Sequence, residues 1–334
     1  MKIAICQLDP IIGAFAQNTK KIIDAIKKAQ FSKAHLAVFP ELSICGYIPE
    51  DLLLMSDFIE QCEKHLFEIV QSTKNIGVIL GLPRRHTGKG KPLFNSACVI
   101  FDRKILGYQD KMLLPTYDIF DESRYFEQAQ EQHVFLIEGK KVGVTICEDI
   151  WAECDAFCEN RYHTRPLEFF QNKNLDLMVN ISASPYSLGK RSTRRNLAFT
   201  CAKSLNCKTV LCNQVGGQDG VLFDGTSIFA SPDPKNSVEL KSFERDFVVI
   251  DTENVTAHET EVFIPEKELY FALSMGISDY FKKQNFSKAI IGLSGGIDSA
   301  LVACLAVHAL GKDNVLGVHM PSQFTQKEST HDAI

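Results

Sequence analysis

Three short passages carry side chains that could together perform nucleophilic catalysis. Glu41 stands in "FPELSICGY", Lys111 in "QDKMLLPTYD" and Cys147 in "VGVTICEDIW". A cysteine supplies a nucleophile, and a glutamate supplies a base for its proton. A lysine can keep that glutamate ionised, favour the thiolate and stabilise an oxyanion, for which the backbone N–H of Glu148 is a natural second donor. These residue types therefore predict the nucleophile, base and orienting charge of a covalent catalytic site.

Each of the three side chains also has an ordinary structural interpretation. Glu41 follows a proline at the end of an apolar segment, where a glutamate often begins a helix. An isolated Lys111 is typical of a protein surface, and Cys147 follows a β-branched run that is typical of a buried, inert cysteine. The carboxylates after Cys147 raise a thiol pKa, so a reactive thiol here needs a nearby cation.

A glycine-rich passage, "AIIGLSGGIDSALVA", is typical of an anion-binding turn between a strand and a helix. Residues 294–296 permit close backbone approach and positive φ, and a helix that begins over residues 297–299 would point free N–H groups at an anion. The spacing differs from the Walker A and dinucleotide-binding patterns. A glycine-rich turn in which Asp298 or Ser299 caps the helix is an equally simple interpretation.

Strand-like and helix-like segments alternate along the chain and predict an α/β architecture. "KIAICQL", "IGVILGL" and "LDLMVNISAS" are strand-like, and "SACVIF" with "KILGYQD" predicts a hairpin around residues 102–103. Helices are predicted over about residues 51–70 and 192–205. An acidic segment that contains Pro265 separates a first domain, residues 1–261, from a second, residues 262–334.

The composition excludes several classes of function. With a net charge of −5, no basic field indicates binding to nucleic acid or to an anionic membrane, and the apolar runs are too short for a membrane span. The eleven cysteines form no CxxC pair and predict free thiols in a cytoplasmic protein. The nine histidines are scattered, which argues against a structural zinc site in the first domain.

The passages around the triad candidates resemble the nitrilase superfamily, and more narrowly the glutaminase domain of glutamine-dependent NAD⁺ synthetases. The matching passages are "FPELSICGYIPEDLL", "DKMLLPTYDIFDESRYF", "GVTICEDIW", "VNISASPYSLGK" and "NQVGGQDGVLFDGTSIF". They occur in the family order over residues 2 to about 260. The resemblance implies a nitrilase-type α-β-β-α sandwich in which Glu41 is the general base, Lys111 the triad lysine and Cys147 the nucleophile.

The same resemblance implies that glutamine is the substrate and that the first domain needs no cofactor. Tyr117, Ser184 and Lys190 match the positions that hold the glutamine. A lysine at the last position would contact a carboxylate as a point charge, without the fork of an arginine. Ser184 is equally consistent with a turn residue before Pro185. The implied reaction passes through a γ-glutamyl thioester and releases ammonia and glutamate.

The glycine-rich passage resembles the SGGxDS loop of N-type ATP pyrophosphatases, and "VLGVHMPSQFTQKESTHDA" resembles the NAD⁺ synthetase domain in particular. The resemblance implies that ATP and Mg²⁺ activate deamido-NAD⁺ for attack by ammonia, with Asp298 as a possible Mg²⁺ ligand. The residues that would bind ATP are Gly292, Leu293, Ser294, Gly295, Gly296, Ile297, Asp298 and Ser299.

The second domain departs from this pattern in its length. Residues 266–334 supply one helix and the first β-α-β unit of a doubly wound, adenine nucleotide alpha hydrolase-like domain, which normally needs ~100–150 residues. We expect a competent glutaminase domain and an incomplete synthetase domain. The chain is then either a fragment of a longer protein or a truncated gene product, and it is expected to form a homo-oligomer. The alternatives are a stand-alone nitrilase-type amidohydrolase with a remnant domain, and a partner-binding subunit that another chain completes.

Overall fold

The computed structural model describes residues 1–153, 162–256 and 264–334, which fold into two compact units. The first unit comprises Met1–Val215 and Phe223–Glu261, and the second comprises Gly216–Leu222 and Val262–Ile334. The predicted boundary between residues 261 and 262 lies outside the described residues. The segment Gly216–Leu222, which the sequence places in the first domain, groups with the second unit.

The first unit contains two six-stranded sheets, whose strands are numbered in chain order. The first sheet consists of Lys2–Gln7 (β1), Leu36–Val38 (β2), Gly77–Arg85 (β3), Leu93–Phe101 (β4), Lys104–Asp110 (β5) and Asp246–Asp251 (β14). The second consists of Val134–Ile137 (β6), Lys140–Ile146 (β7), Leu177–Ser182 (β8), Lys208–Asn213 (β9), Ile228–Ala230 (β12) and Val238–Glu239 (β13). Their orders are β14-β1-β2-β3-β4-β5 and β13-β12-β9-β8-β7-β6. A separate two-stranded sheet pairs Val215–Gln218 (β10) with Val221–Asp224 (β11).

The two sheets pack face to face with helices on their outer sides. Ile3 and Ile5 of β1 join the core between the sheets, whereas Ala4 and Cys6 face the helices. The helices on the first sheet are Phe15–Phe31 (α1) and Ser56–Gln71 (α2). The second sheet is covered by Lys190–Ser204 (α3) and the short 3₁₀ helices Cys147–Glu153 and Pro166–Phe170. Because both faces of each sheet are buried, the inner strands are mostly apolar. The predicted α-β-β-α sandwich is confirmed.

Strand direction brings several chain segments to one edge of each sheet. β1, β2 and β3 are parallel, and β7, β8 and β9 are parallel. The predicted hairpin is confirmed as β4 and β5, so β5 runs in the direction of β3. The predicted helix over residues 51–70 is divided, because an extended Met55 separates the 3₁₀ helix Glu50–Leu54 from α2. The side chains that come after β2, β5, β7 and β8 therefore lie beyond carboxyl ends, where α/β proteins usually bind ligands.

The second unit contains a β-α-β unit, as predicted. Its elements are Pro265–Lys283 (α4), Ala289–Gly292 (β15), Ile297–Leu310 (α5), Val315–Val318 (β16) and Lys327–Ala333 (α6). β15 and β16 are parallel and α5 connects them. Gly217 groups with this unit because its N–H donates to Asp279 at 2.8 Å and Leu222 packs against Gly276 of α4. Among the helices of the described ranges, none combines the length and the apolar character of a membrane span.

Candidate active site

The three triad candidates each come after the carboxyl end of a strand and are buried. Lys111 directly follows β5 and is 0% exposed, so the interpretation of an ordinary surface lysine is wrong. Glu41 lies in a turn after β2, and the interpretation of a helix-start glutamate is also wrong. The left-handed φ of +43° at Leu42 is incompatible with a helix that starts there. Cys147 directly follows β7 and is 4% exposed.

Three groups from distant parts of the sequence orient the Glu41 carboxylate. Lys111 Nζ donates to Glu41 Oε1 at 2.8 Å, and Asn95 Nδ2 donates to the same oxygen at 2.7 Å. The backbone N–H of Ala183 donates to Glu41 Oε2 at 2.9 Å. Both carboxylate oxygens are therefore held, and Glu41 has one orientation in the site.

Glu122 is a second carboxylate partner of Lys111 that the sequence did not reveal. Lys111 Nζ donates to Glu122 Oε1 at 2.8 Å, and the Tyr47 hydroxyl donates to the same oxygen at 2.6 Å. Burial raises the pKa of Glu122 to about 6, which Lys111 opposes and Glu41 reinforces. Burial alone would lower the pKa of Lys111, but Glu122 and Glu41 outweigh it and hold that pKa above its ordinary value. Lys111 is therefore a permanent cation shared by two carboxylates.

Cys147 is the first residue of the 3₁₀ helix that follows β7, and its φ of +40° is a left-handed conformation that costs a non-glycine residue about 1–3 kcal/mol. Burial raises the pKa of the thiol well above its ordinary value, Glu41 raises it further, and Lys111 opposes both. The resting residue is therefore the thiol, although Lys111 acts in the predicted direction. A reactive thiolate requires a base to take the proton, and Glu41 is the carboxylate whose charge acts most strongly on the thiol.

A cavity of about 270 Å³ opens onto Cys147. It is smaller than the ~300–1,000 Å³ typical of sites for drug-sized ligands, so it suits a small molecule. All three residues predicted to hold a substrate contribute to its wall. The lining residues are Tyr117, Asp118, Phe120, Cys147, Glu148, Trp151, Ser184, Pro185, Tyr186, Ser187 and Lys190.

The wall of this cavity contains a glutamate and a lysine that are not paired with each other. The Glu148 carboxylate accepts hydrogen bonds from the hydroxyls of Tyr117 at 3.0 Å and Tyr162 at 2.7 Å. Lys190 Nζ lies 5.2 Å from the ring centroid of Trp151. Burial is the main cause that lowers the pKa of Lys190, and the charge of Arg194 lowers it further. Within the described ranges, neither Glu148 nor Lys190 has an ion-pair partner of its own. Opposite charges of this kind are complementary to a zwitterionic ligand.

Ser184 offers an unused hydroxyl to the same cavity. Its backbone N–H donates to Asn213 Oδ1 at 2.8 Å, which fixes the loop after β8. Its Oγ is buried and has no hydrogen-bond partner in the part of the chain that the structure describes. Buried polar groups are rarely left unsatisfied, so this hydroxyl is suited to a ligand.

The glycine-rich loop of the second unit lies between β15 and α5. Gly295 has φ of +83°, and a Cβ there would approach the backbone oxygen of Ser329 to 2.1 Å, so only glycine fits. Gly296 precedes α5 without a side-chain cap, and the interpretation that Asp298 or Ser299 caps the helix is wrong. Ser299 Oγ instead donates to Gly296 O at 2.9 Å. Among the described residues no side chain caps this first turn, and its N–H groups are of the kind that can bind an anion.

Neither unit supplies a ready-made metal site in its described residues, where no group of three or more His, Cys, Asp or Glu side chains could hold an ion. Asp298 is exposed at the start of α5 and could contribute one ligand beside a phosphate. Its role as a Mg²⁺ ligand stays a prediction.

The positions of three side chains near the triad candidates were not predicted from the sequence. Asn95 lies within a strand and Glu122 begins a short 3₁₀ helix, Glu122–Arg124, and neither sequence pattern indicates that both meet at Lys111 and Glu41. Glu148 was expected to donate its backbone N–H and to raise the thiol pKa, but its place in the cavity wall was not expected. Its position directly after Cys147 is the one signal that could have drawn attention to it.

Family comparison divides the chain in the same place as the fold. The carbon-nitrogen hydrolase model matches residues 2–260, and the NAD synthase model matches residues 269–334. Two curated relatives are named glutamine-dependent NAD(+) synthetase. The protein from Synechocystis sp. is 41% identical over 99% of this chain and 62% of its own length, and the Aquifex aeolicus protein is 36% identical over 100% and 63%. The chain thus spans less than two thirds of these relatives.

Solved structures agree with this comparison. A glutamine-dependent NAD⁺ synthetase from Acinetobacter baumannii in complex with ADP has a TM-score of 0.90 at 35% identity, covering 99% of this chain and 61% of that protein. An amidase from Nesterenkonia sp. AN1 has a TM-score of 0.62 at 20% identity, covering 75% of this chain and 92% of that protein, which is evidence for the fold alone.

Proposed function

Since this chain belongs to the carbon-nitrogen hydrolase family, we propose that its first unit hydrolyses the side-chain amide of glutamine. Cys147 is the nucleophile, Glu41 the general base and Lys111 the stabilising cation. The observation that carries the choice of substrate is that Glu148 and Lys190, neither of which has an ion-pair partner among the described residues, line the cavity that also contains Cys147. An α-amino acid presents an ammonium and a carboxylate, which match these two charges.

The reaction begins as Cys147 Sγ attacks the amide carbon while its proton passes to Glu41. Lys111 and the backbone N–H of Glu148 stabilise the negative oxygen that forms. Glu41 gives the proton to the amide nitrogen, the carbon–nitrogen bond breaks, and ammonia leaves a γ-glutamyl thioester. Glu41 then takes a proton from water, whose oxygen attacks the thioester carbon. The carbon–sulfur bond breaks, the proton returns to sulfur, and glutamate is released.

We propose further that the ammonia serves an ATP-dependent amidation of deamido-NAD⁺. This part of the proposal is supported by the match of residues 269–334 to the NAD synthase family and by the uncapped start of α5 after the glycine-rich loop. Ser294, Gly295, Gly296 and Ser299 would hold the pyrophosphate of ATP, and Asp298 would face its Mg²⁺. Cytoplasmic location and self-association belong to the same proposal, and cell fractionation and light scattering test them.

A substrate panel tests the proposed reaction. Purified full chain is incubated with glutamine, asparagine, glutaramate (which lacks the ammonium) and acetamide, and the released ammonia is measured. We expect glutamine to be preferred over glutaramate and acetamide by about 100-fold or more in kcat/KM, because losing a partner of a buried charge costs about 3 kcal/mol. Equal turnover of acetamide and glutamine would instead favour a general amidohydrolase.

Replacing Ser184 by alanine is expected to weaken glutamine binding without destabilising the protein. Its Oγ makes no hydrogen bond within the described residues. Its removal therefore leaves no partner unsatisfied, and Tm stays within about 2 °C of the wild type. KM is expected to rise about 10-fold with kcat little changed, which corresponds to one hydrogen bond to the ligand. The matched control is Ser274→Ala, which removes another buried, unpartnered hydroxyl. Equal KM values for the two variants would refute the assignment.

Replacing Glu122 by glutamine is expected to lower kcat about 10-fold and to remove an acid limb of the pH profile. The amide still accepts from Lys111 and Tyr47, but the Lys111 charge then acts on Glu41 alone and weakens it as a base. In the wild type Glu122, with a pKa raised to about 6 by burial, takes a proton as the pH falls through that value. Wild-type kcat should therefore drop towards that of the variant below pH about 6, a step that Glu122→Gln lacks. Steady-state kinetics from pH 5 to 9 measure it, and an identical step in both proteins contradicts it.

A further inference from the structure

Asp149 is a buried carboxylate that takes no part in the reaction described above. It is 0% exposed. Its Oδ1 accepts hydrogen bonds from the backbone N–H groups of Met112 at 3.0 Å and Leu113 at 2.9 Å. Its Oδ2 accepts from the backbone N–H of Ile146 at 3.0 Å. Both oxygens are thus directed at main chain, and the side chain joins two separate segments.

The two segments are those that carry Lys111 and Cys147. Met112 directly follows Lys111 at the end of β5, which belongs to the first sheet. Ile146 is the last residue of β7, in the second sheet, and directly precedes Cys147. Asp149 therefore bridges the ends of two strands from opposite layers of the sandwich. The bridge lies one residue from the cation on one side and one residue from the nucleophile on the other.

The hydrogen bond to Ile146 also closes the turn that contains Cys147. It connects residues three apart and encloses the left-handed conformation of the nucleophile, φ +40°. Such a conformation persists only where surrounding contacts hold it. We propose that Asp149 is a positioning residue that holds the Cys147 turn in its left-handed conformation and in register with Lys111. A kinetic test of this proposal rests on the proposed amide hydrolysis, whereas a test by alkylation of the Cys147 thiol does not.

The chemistry of the side chain makes this role sensitive to a small change. Three N–H donors converge on two oxygens, which a carboxylate accommodates because it is acceptor-only when ionised. An asparagine has only one acceptor oxygen. Its NH₂ group would take the place of the other oxygen and would face a backbone N–H, which would then have no acceptor. Burial raises the pKa of Asp149 to about 7, and the N–H groups of Ile146 and Leu113, with Lys111, oppose that rise.

The test compares Asp149→Asn with Asp176→Asn in the full chain. Asp176 also accepts a backbone N–H, from Lys141 at 2.9 Å, but at the opposite end of β7. Glutamine hydrolysis, the alkylation of Cys147 by iodoacetamide followed by peptide mass spectrometry, and Tm are measured for both. Asp149→Asn is expected to lower kcat about 100-fold with KM within about two-fold, because small displacements of reacting groups carry costs of this size. Its Cys147 alkylation rate should change by about 5-fold or more, since the thiol is displaced from its cation and base. Asp176→Asn should match the wild type in both.

The outcomes separate this proposal from the proposed function. If the wild type does not hydrolyse glutamine, the function fails, and the alkylation rate alone still tests the role of Asp149. If Asp149→Asn keeps wild-type kcat and alkylation rate, with or without a lower Tm, the positioning role is overturned. If that variant does not fold, Asp149→Glu is measured in the same way. It keeps both acceptor oxygens but displaces them, so wild-type kcat in this variant overturns the proposal and a 10-fold or larger loss supports it.

Discussion

Replacing Cys147 by alanine is expected to abolish glutamine hydrolysis, with a loss of about 10⁴-fold or more in kcat, as removal of a nucleophile does in covalent hydrolases. The sulfur forms the bond to the substrate, and no neighbouring group in the described site can replace it. The fold should persist, because the change deletes one buried atom and costs about 1 kcal/mol. Ammonia and glutamate release measure the activity, and circular dichroism with thermal unfolding monitors the fold.

The matched control is Cys98→Ala, which removes the sulfur of another fully buried cysteine, in β4. That variant should lose a similar amount of stability and keep wild-type kcat. Normal glutamate release by Cys147→Ala, or an equal loss in both variants, would show that Cys147 is not the nucleophile. The thioester offers an independent check, since mass spectrometry of the acid-quenched wild type should show a γ-glutamyl adduct on the peptide that contains Cys147.

Replacing Lys111 by methionine is expected to affect both catalysis and stability. The ammonium is buried between Glu41 and Glu122, at 2.8 Å from each. Its removal leaves two carboxylates in a buried site without a cation, which destabilises the protein by about 3–5 kcal/mol. kcat should fall about 10³-fold, because the developing oxyanion loses its main stabilising charge. The free energy of unfolding from urea titration and steady-state kinetics measure the two effects.

A second substitution separates these effects. The double variant Lys111→Met/Glu122→Gln lacks one of the two carboxylate charges that Lys111→Met leaves without a cation. A large part of the lost free energy of unfolding should therefore return, while kcat stays low. Lowering the pH should also restore stability to Lys111→Met. Without its cation the buried Glu122 takes up a proton at pH values above about 4.5, where the same side chain in the unfolded chain is still ionised, so this protonation stabilises the folded state. The stability gap to the wild type should therefore narrow as the pH falls from 7 to 5.

The matched control for Lys111 is Lys140→Met, which removes an exposed lysine paired with Asp176 at 3.1 Å. Exposed pairs contribute ~0–1 kcal/mol, so this variant should keep its stability and activity. A Lys111→Met protein as stable and active as Lys140→Met would contradict the buried ion-pair cluster.

Local sequence patterns were sufficient to predict the α/β class, the position of the glycine-rich loop and the three triad candidates. These features depend on local patterns. Glu41, Lys111 and Cys147 each come after an apolar, strand-like run, and parallel strands bring the residues at their carboxyl ends to one edge of a sheet. The turn around Gly295 depends equally on local chemistry, since only glycine fits there.

The protonation states of these residues and the hydrogen bonds that orient their side chains depend on the tertiary structure. Glu41 accepts a hydrogen bond from Ala183, which is 142 residues away in the chain, and Lys111 shares its charge with Glu122, which stands in a segment without a distinctive sequence pattern. The thiol is protonated at rest because burial and Glu41 outweigh Lys111. Desolvation and Coulomb energies are set by distances between segments far apart in the sequence, and no local pattern encodes those distances. The same reason explains Asp149, whose proposed role depends on the two strand ends that it joins.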